Sequence, residues 1–520
     1  MPISPPHSNL FAALQTGFPQ DLHSVAVETD SGLCYSWQDL LDGSAMLANL
    51  LESLGLPSGA RIAVQVEKSV EALMLYLATL RSGLVYLPLN TAYQSAEMAY
   101  FLEDAQPAVV VCSGPNFGWL SKLAFTAGTA YVFTLNDDRS GSLLERAAQF
   151  GREHRVAESA PDALAAIIYT SGTTGRSKGA MLSHGNLLSN AQVLHKAWGW
   201  RSAGQGADVL IHALPIFHVH GLFVAIHGAL LSGSKMIWLA KFDARVALQH
   251  FARATVFMGV PTLYVRLLAE PGLTPEAVRA MRLFISGSAP LLSQTFSDWQ
   301  ARTGHTILER YGMSETIMLT SNPYFPQQGE RRGGTVGPAL PGVQLRVAGV
   351  VGEGGEGGEA LATGEVGDIQ VKGPGVFQGY WNMPEKTAEE FTTDGFFKTG
   401  DVGRVDEQGY VTIVGRSKDL IISGGYNVYP AEIEGYLNAM PGVAESAVVG
   451  VPDADFGEVG VAVVIAKSGV DLNPQAILAA LKSNIANFKI PKRCELVDEL
   501  PRNAMGKVQK NLLRARFAKA

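Results

Sequence analysis

Cysteine is scarce. The three in 520 residues, at positions 34, 112 and 494, are too few and too scattered for a disulfide framework or a cysteine-ligated metal, and core packing is their expected role. Long apolar runs are missing as well. Residues 1–11 lack the basic and apolar regions of a secretory leader, so no membrane span and a cytoplasmic location are expected. Positive charge is not in excess either: 41 Lys and Arg stand against 48 Asp and Glu, a net charge of −7 that leaves no electrostatic footprint for nucleic acid or an anionic membrane. Any polyanion must therefore be held by a local site. With 17% charged and 47% hydrophobic residues the composition excludes disorder and coiled coil, and the length exceeds what one core supports, so at least two domains are expected.

What is present is a rhythm. Short apolar runs at 61–66, 84–87 and 108–112 alternate with amphipathic segments at 70–80 and 96–102. The pattern resumes at 164–170, 209–214, 235–239, 255–260 and 283–286, each run followed by a turn and a helical segment. This is the signature of an α/β fold with helices on largely parallel sheets, in which ligand groups gather at the carboxyl ends of strands. From 335 to 414 the texture shifts to glycine-punctuated short strands, with a Gly/Glu-rich run at 352–359 expected to be a solvated hairpin tip. After residue 415 a new strand and helix series begins, long enough for a small α+β domain. The expected division is a large domain, 1–415, and a small one, 416–520, joined by a short polar hinge at 416–419 that contains Lys418.

The segment Tyr169-Thr170-Ser171-Gly172-Thr173-Thr174-Gly175-Arg176-Ser177-Lys178-Gly179 follows an apolar strand with glycines, hydroxyls and cations. Glycines let the backbone approach an oxyanion, main-chain N–H groups and hydroxyls donate to it, and Lys178 adds charge. Lys178 lies between Ser177 and Gly179, so this is not a Walker A loop, which requires Gly-Lys-Ser/Thr.

Further clusters accompany the loop. Ser286-Gly287-Ser288-Ala289-Pro290 offers small residues beside which a ring or acyl chain fits, and Glu309-Arg310-Tyr311-Gly312-Met313-Ser314-Glu315 combines an aromatic face with a carboxylate suited to nucleotide-bound Mg²⁺. Asp401 and Arg416 are placed to bond ribose hydroxyls. Ser423-Gly424-Gly425-Tyr426 continues the tether, and Lys507 follows a glycine turn near the C-terminus.

In this order, over about residues 30–510, the clusters resemble the acyl-activating, adenylate-forming superfamily of acyl-CoA synthetases, firefly luciferase and peptide-synthetase adenylation domains. The resemblance implies two half-reactions. ATP and a carboxylate give an acyl-adenylate and pyrophosphate, and the thiol of CoA then takes the acyl group. It implies that Thr170, Glu315 and Lys507 act in catalysis, with Mg²⁺ at Glu315. ATP would be bound by Thr170, Ser171, Gly172, Thr173, Thr174, Gly175 and Lys178, by Ser288, Ala289 and Pro290, and by Glu309, Tyr311, Gly312, Met313, Ser314, Asp401 and Arg416. CoA would meet Ser423, Gly424, Gly425 and Tyr426. The small domain would rotate about Lys418 between the two steps.

The acyl group has to be read from the pocket. Arg310 beside Tyr311, and Arg266 on a helix expected to line the same cavity, supply guanidinium groups that suit a second carboxylate. His218, in Pro215-Ile216-Phe217-His218-Val219-His220-Gly221, adds a hydrogen-bonding group, with Ser288 and Met313 beside it. These elements resemble those of malonyl-CoA synthetases, and malonate or methylmalonate then fits, one carboxylate adenylated and the other on Arg310. The alternatives are a monocarboxylate acyl- or aryl-CoA ligase, a structural salt bridge of Arg310 with Glu309 or a neighbouring loop, and a non-catalytic nucleotide-binding protein.

Overall fold

The computed structural model describes residues 9–170, 177–202, 206–349, 358–424, 426–482, 484–503 and 507–518, and of Asn427 only the backbone. Four sheets are present among them. The first runs Tyr131–Thr134, Val109–Cys112, Arg61–Gln65, Val85–Pro88, Leu164–Thr170 and Lys178–Ser183, parallel except at the last pair. The second orders Thr320–Ser321, Leu308–Tyr311, Leu283–Ser286, Val256–Gly259, Val209–His212, Lys235–Trp238, Val25–Thr29 and Cys34–Ser36, with antiparallel strands only at its two edges. This is the expected α/β architecture.

Its helices are built for burial between sheets. Val70–Arg81 is capped by Ser69, whose side chain accepts the Ala72 amide, and every one of its residues is buried. An all-round apolar helix survives only inside a core, where each of Leu73, Leu75, Leu77 and Leu80 contributes roughly 1.5–3 kcal/mol. Lys68, just before that helix, ties the sheets together: its Nζ donates to the carbonyls of His212 (2.8 Å) and Leu239 (2.6 Å) at the ends of two strands of the second sheet. Burial holds its pKa well below the ordinary lysine value.

Residues 344–416 form a four-stranded antiparallel sheet, Gln344–Ala348, Gly367–Lys372, Phe397–Val405 and Val411–Arg416. The expected hairpin tip falls mostly on residues outside those described. Beyond it the 3₁₀ turn Ser417–Asp419 leads into a five-stranded sheet built on the long pair Val443–Asp453 and Gly457–Ala466. Two apolar clusters of their own, around Ile421, Val448 and Leu481 and around Val449, Leu500 and Phe517, pack its faces. No helix among the described residues is long and apolar enough to cross a membrane.

Two expectations fail. The run at 164–170 is followed not by a turn and helix but by the antiparallel strand Lys178–Ser183, the helix beginning only at His184 behind the Ser183 cap. Cys34 is exposed rather than a core residue, because it lies on the short edge strand Cys34–Ser36.

Candidate active site

The chemistry-bearing clusters lie where parallel strands end: Thr170, His212, Ser286 and Tyr311 are the last residues of their strands. Carboxyl ends of strands open onto a crevice free of crossing connections.

Helix Ser95–Ala105 holds both feet of the phosphate loop. The Tyr169 hydroxyl donates to the Asp104 carboxylate before the loop, and the Tyr100 hydroxyl donates to the Ser177 carbonyl after it, at 2.7 Å. Thr170 faces Lys178 in register. Ser171, Gly172, Thr173, Thr174 and Gly175 lie outside the described residues. Lys178, expected on phosphate, is ion-paired with Glu390 (Nζ–Oε1 3.2 Å) and sits 4.3 Å from the ring centroid of Tyr380. Tyr380 in turn donates to Glu315 Oε1 at 3.0 Å. Burial pushes the Glu315 carboxyl above its ordinary pKa, while its hydrogen bonds and the charges of Arg416 and Lys178 pull it back.

A second group joins Tyr311, Asp401 and Arg416. Asp401 accepts from Tyr311 Oη at 2.5 Å and pairs with Arg416 Nε at 2.7 Å, the two strands setting Asp401 opposite Arg416. After Tyr311 the backbone at Gly312 runs close against a later segment of the chain: a Cβ there would stand 1.9 Å from the Ile317 carbonyl oxygen, so only glycine fits. Met313 and Ser314, in the same turn, are half-buried. Glu309, expected to touch ATP, is buried behind the strand, where it accepts the Leu291 amide at 3.0 Å and burial raises its pKa to about 8.

A third group centres on Arg310, which is 2% exposed, with Nε and Nη2 finding no hydrogen-bond partner among the described residues. The guanidinium lies flat on Gly287, and a Cβ at Gly287 would be 2.5 Å from its Cζ. Burial drives the Arg310 pKa down to about 9, with Tyr264 and Glu309 opposing weakly. Its strand neighbour Glu309 acts on it through charge, the two side chains leaving the strand on opposite faces. Ser288, at φ +69°, brings its hydroxyl 3.2 Å from His220 Nδ1. Ala289 is half-buried and Pro290 exposed beyond it. His220 opens a π-wound stretch, His220–Ile226, a form frequent at functional sites. Burial, then the Arg310 charge, keeps His220 well below the ordinary histidine pKa, and burial brings His218 down to about 4. Arg266 does not share this cavity. Helix Pro261–Leu268 buries Leu263, Tyr264 and Leu267, which leaves Arg266 on its exposed side.

Lys507 comes over the crevice from the far end of the chain. A clip fixes it: its amide donates to Asn503 Oδ1 at 3.0 Å and its carbonyl accepts the Asn503 amide at 2.9 Å. The residue keeps solvent contact, yet desolvation and then the Arg416 charge lower its pKa while Asp401 and Glu315 raise it, so its charge is felt among these groups. Lys418 is brought down to about 8 by burial and then by Arg416. Ser423 is buried, Gly424 is at φ +58° and Tyr426 is 58% exposed; Gly425 lies outside the described residues. Sequence reasoning missed Tyr380, Glu390, Tyr264 and the pair Tyr100 and Asp104. Of these only Tyr264 carried a signal, its place on the buried side of the Arg266 helix.

The arrangement brings together the buried carboxylate of Glu315, the Asp401–Arg416 ion pair, the ammonium of Lys507 and the buried guanidinium of Arg310. No group of three or more His, Cys, Asp or Glu among the described residues is placed to hold a metal by itself. A single carboxylate suits Mg²⁺, which takes its other ligands from phosphates and water.

Comparison with known proteins points the same way. Residues 16–381 match the model of the AMP-binding enzymes, and residues 432–507 match that of the AMP-binding enzyme C-terminal domain. The chain is 36% identical to the malonate–CoA ligase of Arabidopsis thaliana, covering 94% of this chain and 86% of that one. It is 53% identical to MatB from Rhodopseudomonas palustris in its ATP-bound crystal structure, with a TM-score of 0.94 over 98% of this chain and 99% of that one. Against the apo crystal structure of the same protein the TM-score is 0.83, so the present arrangement follows the ATP-bound form more closely.

Proposed function

The chain belongs to the family of AMP-binding enzymes, and on that footing we propose that it is an ATP-dependent ligase that adenylates malonate and passes the malonyl group to CoA. The observation that carries the choice of acid is Arg310, a buried guanidinium with two unpartnered nitrogens. An uncompensated buried cation is costly, and a substrate carboxylate is the group that relieves it. The malonate–CoA ligase relative supports the same choice.

The remaining roles follow from charge. Attack of a carboxylate on the α-phosphorus brings two anions together, so the rate depends on positioning and neutralisation. Arg310 and Ser288 hold the distal carboxylate, and the near one faces Lys507, whose ammonium touches both it and the α-phosphate. Tyr311 stacks on the adenine, and Asp401 with Arg416 engages the ribose. Glu315 would hold Mg²⁺, which supplies charge neutralisation between phosphates. The loop opening at Thr170 receives the departing pyrophosphate. Residues 1–415 and 416–520 act as two domains, and rotation about Lys418 then withdraws Lys507 and brings Ser423 to Tyr426 up to the thiol of CoA. The acyl-adenylate is a mixed anhydride reactive enough for a thiol to attack without a dedicated base.

A panel of short mono- and dicarboxylates with ATP and CoA, read as AMP release and thioester, tests this. Malonate should give the highest specificity constant, with methylmalonate close to it, because one methyl group is rejected by only about 1–3 kcal/mol. Preference for propionate or benzoate would overturn the assignment of Arg310.

A further inference from the structure

Lys178 enters the site already engaged. As the residue paired with Thr170 at the base of the phosphate loop, it is a cation placed to meet the polyphosphate, yet its ammonium rests on Glu390 at 3.2 Å. Both side chains are largely out of solvent, at 18% and 24% exposure, so the attraction is only partly screened. On the other side the ammonium lies against the Tyr380 ring, whose hydroxyl is bound to Glu315. Lys178 thus stands between two carboxylates, the expected cation ligand and Glu390.

Glu390 has a second suitor. Lys386, one helical turn earlier, lies 3.4 Å from the same Oε1 atom and 2.8 Å from Glu389. If Lys178 leaves, Glu390 is not stranded, because Lys386 can close on it. The loss of one ion pair is offset by the strengthening of another, and the ammonium of Lys178 becomes available to phosphate at little net cost.

We propose that Glu390 is a positioning residue that competes with the polyphosphate for Lys178, with Lys386 taking over when Lys178 is surrendered. Glu390 thereby keeps the grip on ATP and pyrophosphate loose enough for pyrophosphate to leave. The inference rests on the adenylating half-reaction proposed above, though not on the identity of the acid.

The two sides of the exchange can be moved in opposite directions. Glu390→Gln should lower both KM for MgATP and the inhibition constant of pyrophosphate by roughly fivefold, the scale of a partly screened ion pair, and should slow pyrophosphate release. Lys386→Ala should raise both constants, since Glu390 would then hold Lys178 unaided. In a Lys178→Ala background neither change should have any effect. Direct titration of each full-length variant with MgATP, without acid, reads the same shifts independently of turnover. Unchanged constants in Glu390→Gln, shifts of the same sign in both variants, or shifts that persist without Lys178 would overturn the proposal, as would a loss of thermal stability with kcat falling while the constants stay put. Absence of malonate-dependent ATP–pyrophosphate exchange in the wild type would instead count against the proposed function, leaving the MgATP titrations to decide this inference.

Discussion

Arg310 and Gly287 share one space: the guanidinium occupies the position a side chain would take, with Nη1 also 2.5 Å from an ideal Cβ at residue 287. The glycine is therefore the counterpart of the arginine. Its missing Cβ is what lets a long cation lie flat at the end of a strand.

Gly287→Ala should accordingly act on the acid and not on the nucleotide. A methyl group there pushes the guanidinium aside, so the specificity constant for malonate should fall about as far as in Arg310→Ala, where removing a buried partner of a carboxylate costs roughly 2–5 kcal/mol. The two losses should not add. A double variant whose loss is the sum of the single ones, or a raised KM for ATP in Gly287→Ala, would show that the glycine serves something other than Arg310.

Lys507→Ala should depress formation of the acyl-adenylate by orders of magnitude while thioester formation from supplied malonyl-AMP continues, which rapid-quench measurement of each half-reaction distinguishes. Equal loss in both would contradict the alternation of the small domain. The pH profile gives a second reading. Desolvation and then the Arg416 charge lower the Lys507 pKa, so the ammonium is lost as pH rises through a value below that of an ordinary lysine. Adenylation should fade on an alkaline limb below 10.5, and Lys507→Arg should displace that limb upward. His218 and His220 should contribute no limb near neutrality, since burial keeps both imidazoles uncharged there.

The feet of the phosphate loop offer a third test. Tyr100→Phe removes the hydroxyl that holds the Ser177 carbonyl, and Asp104→Asn weakens the partner of Tyr169. Each should raise KM for ATP severalfold, at about 0.5–1.5 kcal/mol per hydrogen bond, while KM for malonate stays near wild type. A change confined to malonate would refute the tethering role.

Much of this was legible in the residues. The strand ends at Thr170, Ser286 and Tyr311 follow from apolar runs closed by glycine and hydroxyl residues, and Arg310 stands out because a guanidinium rarely enters an apolar strand without cause. Other features left no local trace. Lys178–Ser183 reads as the approach to a helix, but it pairs antiparallel with Leu164–Thr170, and no local pattern announces that pairing. Arg266 shows the opposite error: the spacing of Leu263, Tyr264 and Leu267 already placed it on the outer face, and its charge was given more weight than its period. Glu390 joins Lys178 from 212 residues away, a contact that no window of sequence contains.

The π-wound stretch His220–Ile226 sets His220 against Ser288 at one end and delivers His227, bonded to Tyr76 at 2.8 Å, into the core at the other. Such a segment carries a surplus residue relative to an α-helix. Losing one residue would let it rewind, and the two histidines would swing by about 100° relative to each other, so that only one could keep its partner. A single-residue deletion here would thus change the direction in which His220 faces, where a substitution changes only its side chain.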